Sequence, residues 1–128
     1  MLRPADIRRE WDWVRPGLER ALAKSAEKLR PEDVYAEVVT GQAQMFAAPD
    51  GFVIWKVHVC PYTGHRTLWV WFVWGEGGDM IARYQDQLVE LARHAEADRL
   101  AFQSARRGYE RALDENWSVA RVEYERVI

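Results

Sequence analysis

The first pattern along the chain is helical: Ile7, Trp11, Val14, Leu18, Ala21 or Leu22, Ser25 and Leu29 recur three or four residues apart. Pro16 has no N–H to give to the carbonyl of Asp12, and Gly17 follows it. The stripe therefore predicts two helices or one kinked helix, about 5–14 and 17–28. Pro31 suits the first turn of a short helix over 31–40 that buries Val34, Tyr35 and Val38, with Gly41 as its left-handed cap. From residue 42 the period changes to two. Residues 44–48, 52–59 and 67–74 read as strands, separated by Pro49-Asp50-Gly51 and by the turn residues 60–65. The second and third of these are apolar on both faces, so they belong in the middle of a covered, antiparallel meander.

After the strand comes a glycine cluster, Gly75-Glu76-Gly77-Gly78-Asp79, and then an amphipathic helix over about 80–95. Ile81, Tyr84, Leu88, Leu91, Ala92 and Ala95 share one face of it, and Arg83, Asp86, Gln87, Glu90 and Arg93 the other. A strand at 99–103 follows, at a distance that makes it parallel to 67–74. A short helix is expected to open at Ser104. The alternation of Ala120, Val122 and Tyr124 with Arg121, Glu123 and Glu125 predicts a last strand over 117–127. The pattern predicts one α/β domain over 1–128, with a mostly antiparallel central sheet of about six strands and helices on both faces.

Composition narrows the reading. Apolar residues make up 48% and charged residues 30%, the balance of a globular domain. One cysteine, Cys60, excludes an intramolecular disulfide. The longest apolar run, 68–74, falls far short of the roughly 20 residues of a membrane helix, and the charged first residues do not resemble a secretory leader, so a cytoplasmic protein is expected. The net charge of −2 argues against general nucleic-acid binding. Seven tryptophans are a large aromatic content, which core burial explains.

Three features carry candidate chemistry. Gly75, Gly77 and Gly78 stand between a strand and a helix N-terminus, where unpaired amides can cradle an anion; a tight turn needing positive φ would use the same residues. Asp79 is placed to cap the helix. Arg106 and Arg107 fall in the first turn of a helix capped by Ser104, where positive charge opposes the dipole, and such a violation suits an anion; pairing of Arg106 with Glu110 would serve equally. His58, Cys60 and His65 are close in sequence, but neither their spacing nor a fourth ligand matches a standard zinc site, and no metal is assigned. Glu76, His58 and His65 are the residues near the expected midline of the sheet that could accept a proton.

The order of parts, two N-terminal helical pieces, a meander, strand–turn–helix and strand–helix–strand, resembles the GNAT fold of N-acetyltransferases over nearly the whole chain. It is similar in particular to small, divergent phage and prophage members with a late Arg-Arg-Gly-aromatic segment. In that family the fourth strand ends in Arg or Gln, two residues, Gly, one residue, and Gly or Ala, whose amides hold the pyrophosphate of acetyl-CoA. Gly75-Glu76-Gly77 supplies the glycines here, and Phe72 stands at the Arg/Gln position. The family's acidic tyrosine would fall at Ala112, with Tyr109 three residues earlier. The resemblance implies an acyl-CoA-dependent N-acyltransferase with acetyl-CoA as co-substrate. Trp74, Gly75, Gly77, Gly78 and Asp79, with Arg106 and Arg107, would hold CoA. Glu76 is the candidate base and Tyr109 the substitute acid, acting on an amine of a small molecule or protein without nucleic acid or membrane. The alternative is a non-catalytic binding or assembly protein that keeps the fold.

Overall fold

The computed structural model describes residues 1–104 and 113–128. Its elements are β1 (Arg3–Pro4), α1 (Ile7–Ala23), α2 (Pro31–Val39), β2 (Gln44–Ala48), β3 (Gly51–Val59), β4 (Arg66–Gly75), α3 (Met80–His94) and β5 (Arg99–Phe102). The strands form one sheet in the order β1-β2-β3-β4-β5. All neighbours are antiparallel except β4 and β5, which run parallel as the strand–helix–strand spacing requires.

The sheet is covered on both faces. Ile7, Val14, Leu18, Val34, Phe52, Ile54 and Phe72 are buried between the sheet and α1 and α2. Leu2, Val53, Leu68, Val70, Met80, Leu88 and Ala92 form the second core, under α3. Both cores exist because β3 and β4 are apolar at odd and even positions, as a strand between two helical layers must be. Of the tryptophans, Trp11, Trp71 and Trp74 pack on the first core and Trp55 on the second.

Local signals account for most element boundaries. Asp6 caps α1 by accepting a bond from the Arg8 amide at 2.9 Å. Gly41, at φ +81°, ends α2 as expected: the Gln42 amide reaches the Glu37 carbonyl at 2.9 Å and the Gly41 amide that of Val38 at 3.2 Å. That pair of bonds is a Schellman cap. The Arg66 guanidinium holds the end of α3 through the Ala95 and Glu96 carbonyls at 2.9 and 3.1 Å.

Of the two forms open to the first helical stripe, the structure has the single helix, which runs from Ile7 to Ala23 with Pro16 inside it. Gly17 beside it serves packing: a Cβ there would lie 2.7 Å from Phe52 Cε1 and 2.9 Å from Trp74 Cε3, so the glycine lets α1 settle onto the sheet. One expectation is corrected: the alternating segment 117–127 makes no strand, and the described sheet, expected to have about six strands, has five, one of them the two-residue β1. Trp117 is tied down, with its ring 5.5 Å from that of Phe102 and its Nε1 donating to Gln85 Oε1 at 3.0 Å. Beyond it Val119, Val122, Tyr124 and Val127 are exposed. Alternation gives a strand two faces, but without a ladder partner it does not hold a strand in place.

Candidate functional site

The site begins with an irregularity in β4. Its pairing with β3 passes from Ile54↔Phe72 to Trp55↔Val70, which leaves Trp71 as an extra residue, a β-bulge. The parallel pairing with β5 runs from Thr67↔Arg99 to Val70↔Phe102 and stops there. The bulge and the end of β5 therefore coincide. From 71 to 75, β4 pairs with β3 on one side, and no strand of the described residues meets its other edge. Backbone groups along such an edge are free to bind an extended ligand.

The open edge leads into the 75–79 loop. Gly77, Gly78 and Asp79 lie at φ +78°, +72° and +58°, three successive left-handed residues, so the turn does require its glycines. A Cβ at Gly77 or Gly78 would meet nothing within 4 Å, and the loop surface is open there. Asp79 precedes α3 but makes no side-chain capping bond, because its left-handed backbone turns the carboxylate away from the first amides. The amides of the first turn of α3 have no intrahelical acceptor and point out of the helix end.

A single cluster fixes this loop. The Asp50 carbonyl accepts from the Glu76 amide at 2.8 Å. Asp50 Oδ1 accepts from the Tyr84 hydroxyl at 3.1 Å, and its other oxygen from Arg83 Nη1. The rest of the Arg83 guanidinium bonds loop carbonyls: Nη2 to Gly78 at 2.8 Å and Glu76 at 3.1 Å, and Nε to Gly78 at 3.2 Å. Arg83 and the Tyr84 hydroxyl hold the Asp50 carboxyl below the usual carboxylate range, against some desolvation. Burial, then Asp50, pushes the Tyr84 phenol up.

Asp50 contributes fully above the ordinary aspartate range near pH 4 and loses its contribution as the pH falls through its lower folded value. Asp50→Asn is expected to melt below the wild type at pH 6, with the gap narrowing towards pH 3. Because the pair is partly exposed, the gap should also shrink in high salt. Melting curves at pH 3–7 in two salt concentrations check this, and a gap constant with pH would contradict it.

The fold brings Trp74, Gly75, Glu76, Gly77, Gly78 and Asp79 together at the end of β4. Trp74 turns its ring inward, 6.2 Å from Phe52 and with the Arg20 guanidinium 5.6 Å from its centre, so only its backbone leads into the loop. Phe72, at the position where the family has Arg or Gln, is 6% exposed in the α1–α2 core and offers an anion nothing. Glu76 is exposed and helps line a shallow pocket of about 430 Å³ with Arg3, Trp13, Asp50 and Trp74. A larger groove of about 590 Å³ lies on the outer face of α3, between Asp86, Glu90 and Trp117, and shares no residue with the loop. Arg106, Arg107 and Tyr109 lie outside the described residues.

The histidines are not near the midline of the sheet. His58 pairs with Thr67, and His65 sits in the β3–β4 turn, where its carbonyl accepts from the Cys60 amide at 2.8 Å. That end of β4 is eight residues from Gly75, about 27 Å along a strand, so neither histidine reaches the loop. His65 Nδ1 faces Asp98 at 3.5 Å. Among the described residues no three His, Cys, Asp or Glu side chains are arranged to hold a metal ion.

In the sequence Pro49-Asp50-Gly51 reads as a turn and Arg83 as an outer-face residue, and neither pattern marks Asp50 or Arg83 as the residues that fix the loop. The available signal was the register: a hairpin turn on one side of β3 and a glycine loop at the end of β4 lie at the same end of the sheet.

A covered sheet with a bulged central strand, a parallel neighbour whose pairing stops at the bulge and a glycine loop opening a helix defines a class of α+β fold. Comparison with solved structures identifies it. The chain superposes over its full length on 97% of ribosomal-protein-alanine N-acetyltransferase from Brucella melitensis biovar Abortus 2308, with a TM-score of 0.65 and 24% identity. It covers 97% of glucosamine-6-phosphate N-acetyltransferase from Arabidopsis thaliana with 97% of its own length, at TM-score 0.62 and 9% identity. A predicted acetyltransferase from Clostridium acetobutylicum, solved with acetyl-CoA, matches at TM-score 0.64 and 11% identity over 98% of this chain and 95% of that one. The sequence itself matches no protein-family model and no curated protein. The chain has the GNAT acetyltransferase fold. No helix among the described residues is long and apolar enough to cross a membrane.

Proposed function

We propose that this protein is an acyl-CoA-dependent N-acyltransferase, with acetyl-CoA as the acyl donor. The observation that carries the reading is the end of the β4–β5 pairing: it stops at Val70, no strand of the described residues meets that edge of β4 from 71 to 75, and β4 ends in a glycine loop at the start of α3. The amides of that loop and of the first turn of α3 suit the pyrophosphate of CoA, and Gly77 and Gly78 leave room for it. The 71–75 edge of β4 suits the amide-bearing pantetheine arm, which would place the thioester towards the bulge at Trp71. Bound acyl-CoA supplies an activated thioester; an amine attacks its carbonyl directly, the C–S bond breaks and the thiolate leaves with a proton. Glu76, the candidate base of the sequence, would sit beside the pyrophosphate, five residues and about 17 Å along a strand from a thioester at Trp71, so the amine proton is assigned to solvent water rather than to Glu76. Tyr109 is assigned to protonate the thiolate, and Arg106 and Arg107 to the CoA phosphates.

The test is release of free CoA thiol from acetyl-CoA across a panel of primary amines, including peptide N-termini, polyamines and amino sugars. Amine-dependent release above the rate without protein supports the reading. Binding of acetyl-CoA with no release across the panel favours a second one, a binding protein that has kept the fold. The burial of Phe72 where the family has a polar residue is the observation on that side.

A further inference from the structure

The glycine loop has Phe72 where the acetyltransferase family it resembles has Arg or Gln, yet a guanidinium is bonded to the loop carbonyls. It comes from α3, eleven residues beyond Phe72. We infer that Arg83 is the positioning residue of the phosphate cradle, set in place by Asp50: it pins two loop carbonyls and thereby turns two amides outward to the anion. The inference rests on the acyl-CoA reading and adds a residue to it.

No peptide bond among the described residues is cis, and in a trans peptide the C=O and the following N–H point in opposite directions. The Glu76 carbonyl points at Arg83, so the Gly77 N–H points away from it. The Gly78 carbonyl also points at Arg83, so the Asp79 N–H points away. The intervening Gly78 amide is used inside the loop, on the Gly75 carbonyl at 3.2 Å. Two alternate amides are thus directed to the side opposite Arg83, next to the unpaired amides that open α3.

This arrangement needs a fork rather than a point charge. Nη1 is used on Asp50, Nη2 spans the Glu76 and Gly78 carbonyls, and Nε makes a second bond to Gly78. A lysine ammonium can neutralise Asp50 but cannot hold both carbonyls in one plane. Asp50 is equally specific, since its backbone carbonyl binds the Glu76 amide while its side chain orients the guanidinium. The pairing also means that Arg83 brings little free charge to the ligand. Its contribution is to fix three positive-φ residues in the one arrangement that presents amides.

The test compares acetyl-CoA with S-acetylpantetheine, which lacks the pyrophosphate and the nucleotide. Wild type, Arg83→Gln, Arg83→Lys and Asp50→Asn are titrated calorimetrically with each, after circular dichroism and melting show each variant folded at the working temperature. Both Arg83 variants are expected to bind acetyl-CoA about tenfold more weakly, with Asp50→Asn between them and wild type. The S-acetylpantetheine affinity should be unchanged, which general damage to the domain would not spare. In turnover the loss should appear in KM for acetyl-CoA, with kcat retained. Wild-type affinity for acetyl-CoA in Arg83→Gln, equal loss for both ligands, or full rescue by Arg83→Lys overturns the inference while leaving the acyl-CoA reading intact. Wild-type protein that binds neither ligand overturns both.

Discussion

Phe52→Ala is expected to cost about 3–5 kcal/mol, the range for removing a buried aromatic ring. Phe52 is 0% exposed and is the second residue of β3, next to the hairpin turn. It pairs across the sheet with Trp74, and its ring meets Trp13 edge-on at 5.9 Å. Above it lies Gly17, whose missing side chain allows α1 to approach. The cavity cannot close by a small shift of the helix, because Trp74 holds α1 from the same side. For a domain this size the loss is a fall of about 10 °C or more in Tm. Urea unfolding should show a lower midpoint with the slope unchanged. The effect should reach the ligand site, since Trp74 is the residue from which the glycine loop departs. A loss under about 1 kcal/mol would mean that α1 and the sheet are not packed as described.

The second large effect is a contrast between two glycines that face each other. Gly51 and Gly75 are register partners at the ends of β3 and β4. A Cβ on Gly51 would lie 2.3 Å from the Trp74 carbonyl oxygen and 2.7 Å from Gly75 Cα. Both are backbone atoms of a central strand, so Gly51→Ala must displace that strand, breaking the local ladder and the Glu76–Asp50 bond beside it. A Cβ on Gly75 would be as close, at 2.2 Å from Met80 Cγ and 2.4 Å from its Sδ, but these belong to an unbranched side chain that can turn. Gly51→Ala is expected to fall at the upper end of the about 1–3 kcal/mol of overpacking substitutions, and Gly75→Ala at the lower end. Thermal melts of the two variants decide it. Equal losses would show that the strand end yields as easily as the methionine.

Much of this architecture was legible in the sequence, for identifiable reasons. The period-two runs with turn residues between them placed β2, β3 and β4 within a residue of their observed bounds. Apolar residues on both faces of β3 and β4 announced a sheet covered twice, and the spacing of 67–74 and 99–103 announced their parallel pairing. What was not legible depends on long-range packing. Pro16 leaves two helices or one kinked helix open, and the close approach of α1 to Phe52 and Trp74, which favours the single helix, is not written in the local pattern. The strand pattern of 117–127 could not reveal that its start is held by Phe102 and Gln85 rather than by a sheet edge. The two-residue β1 is too short for any periodicity to register.

The candidate site divides in the same way. The glycines were visible because the turn chemistry is local: Gly77 and Gly78 have the positive φ their positions suggested. The bulge at Trp71 was not visible, since it exists only in the register between two strands. Asp50 and Arg83 were hidden because 33 residues separate them and nothing in either local pattern points to the other.

The central claim is that the 71–75 edge of β4 and the glycine loop hold acyl-CoA. The most direct test is titration of the isotope-labelled protein with acetyl-CoA, following backbone amide resonances to saturation. The account predicts saturable shifts concentrated at Gly77, Asp79 and the first turn of α3, continuing along residues 71–75. Little should change at His58 and His65 at the other end of the β3–β4 hairpin. Absence of shifts at millimolar acetyl-CoA, or shifts confined to that far end or to the outer groove at Trp117, would contradict it.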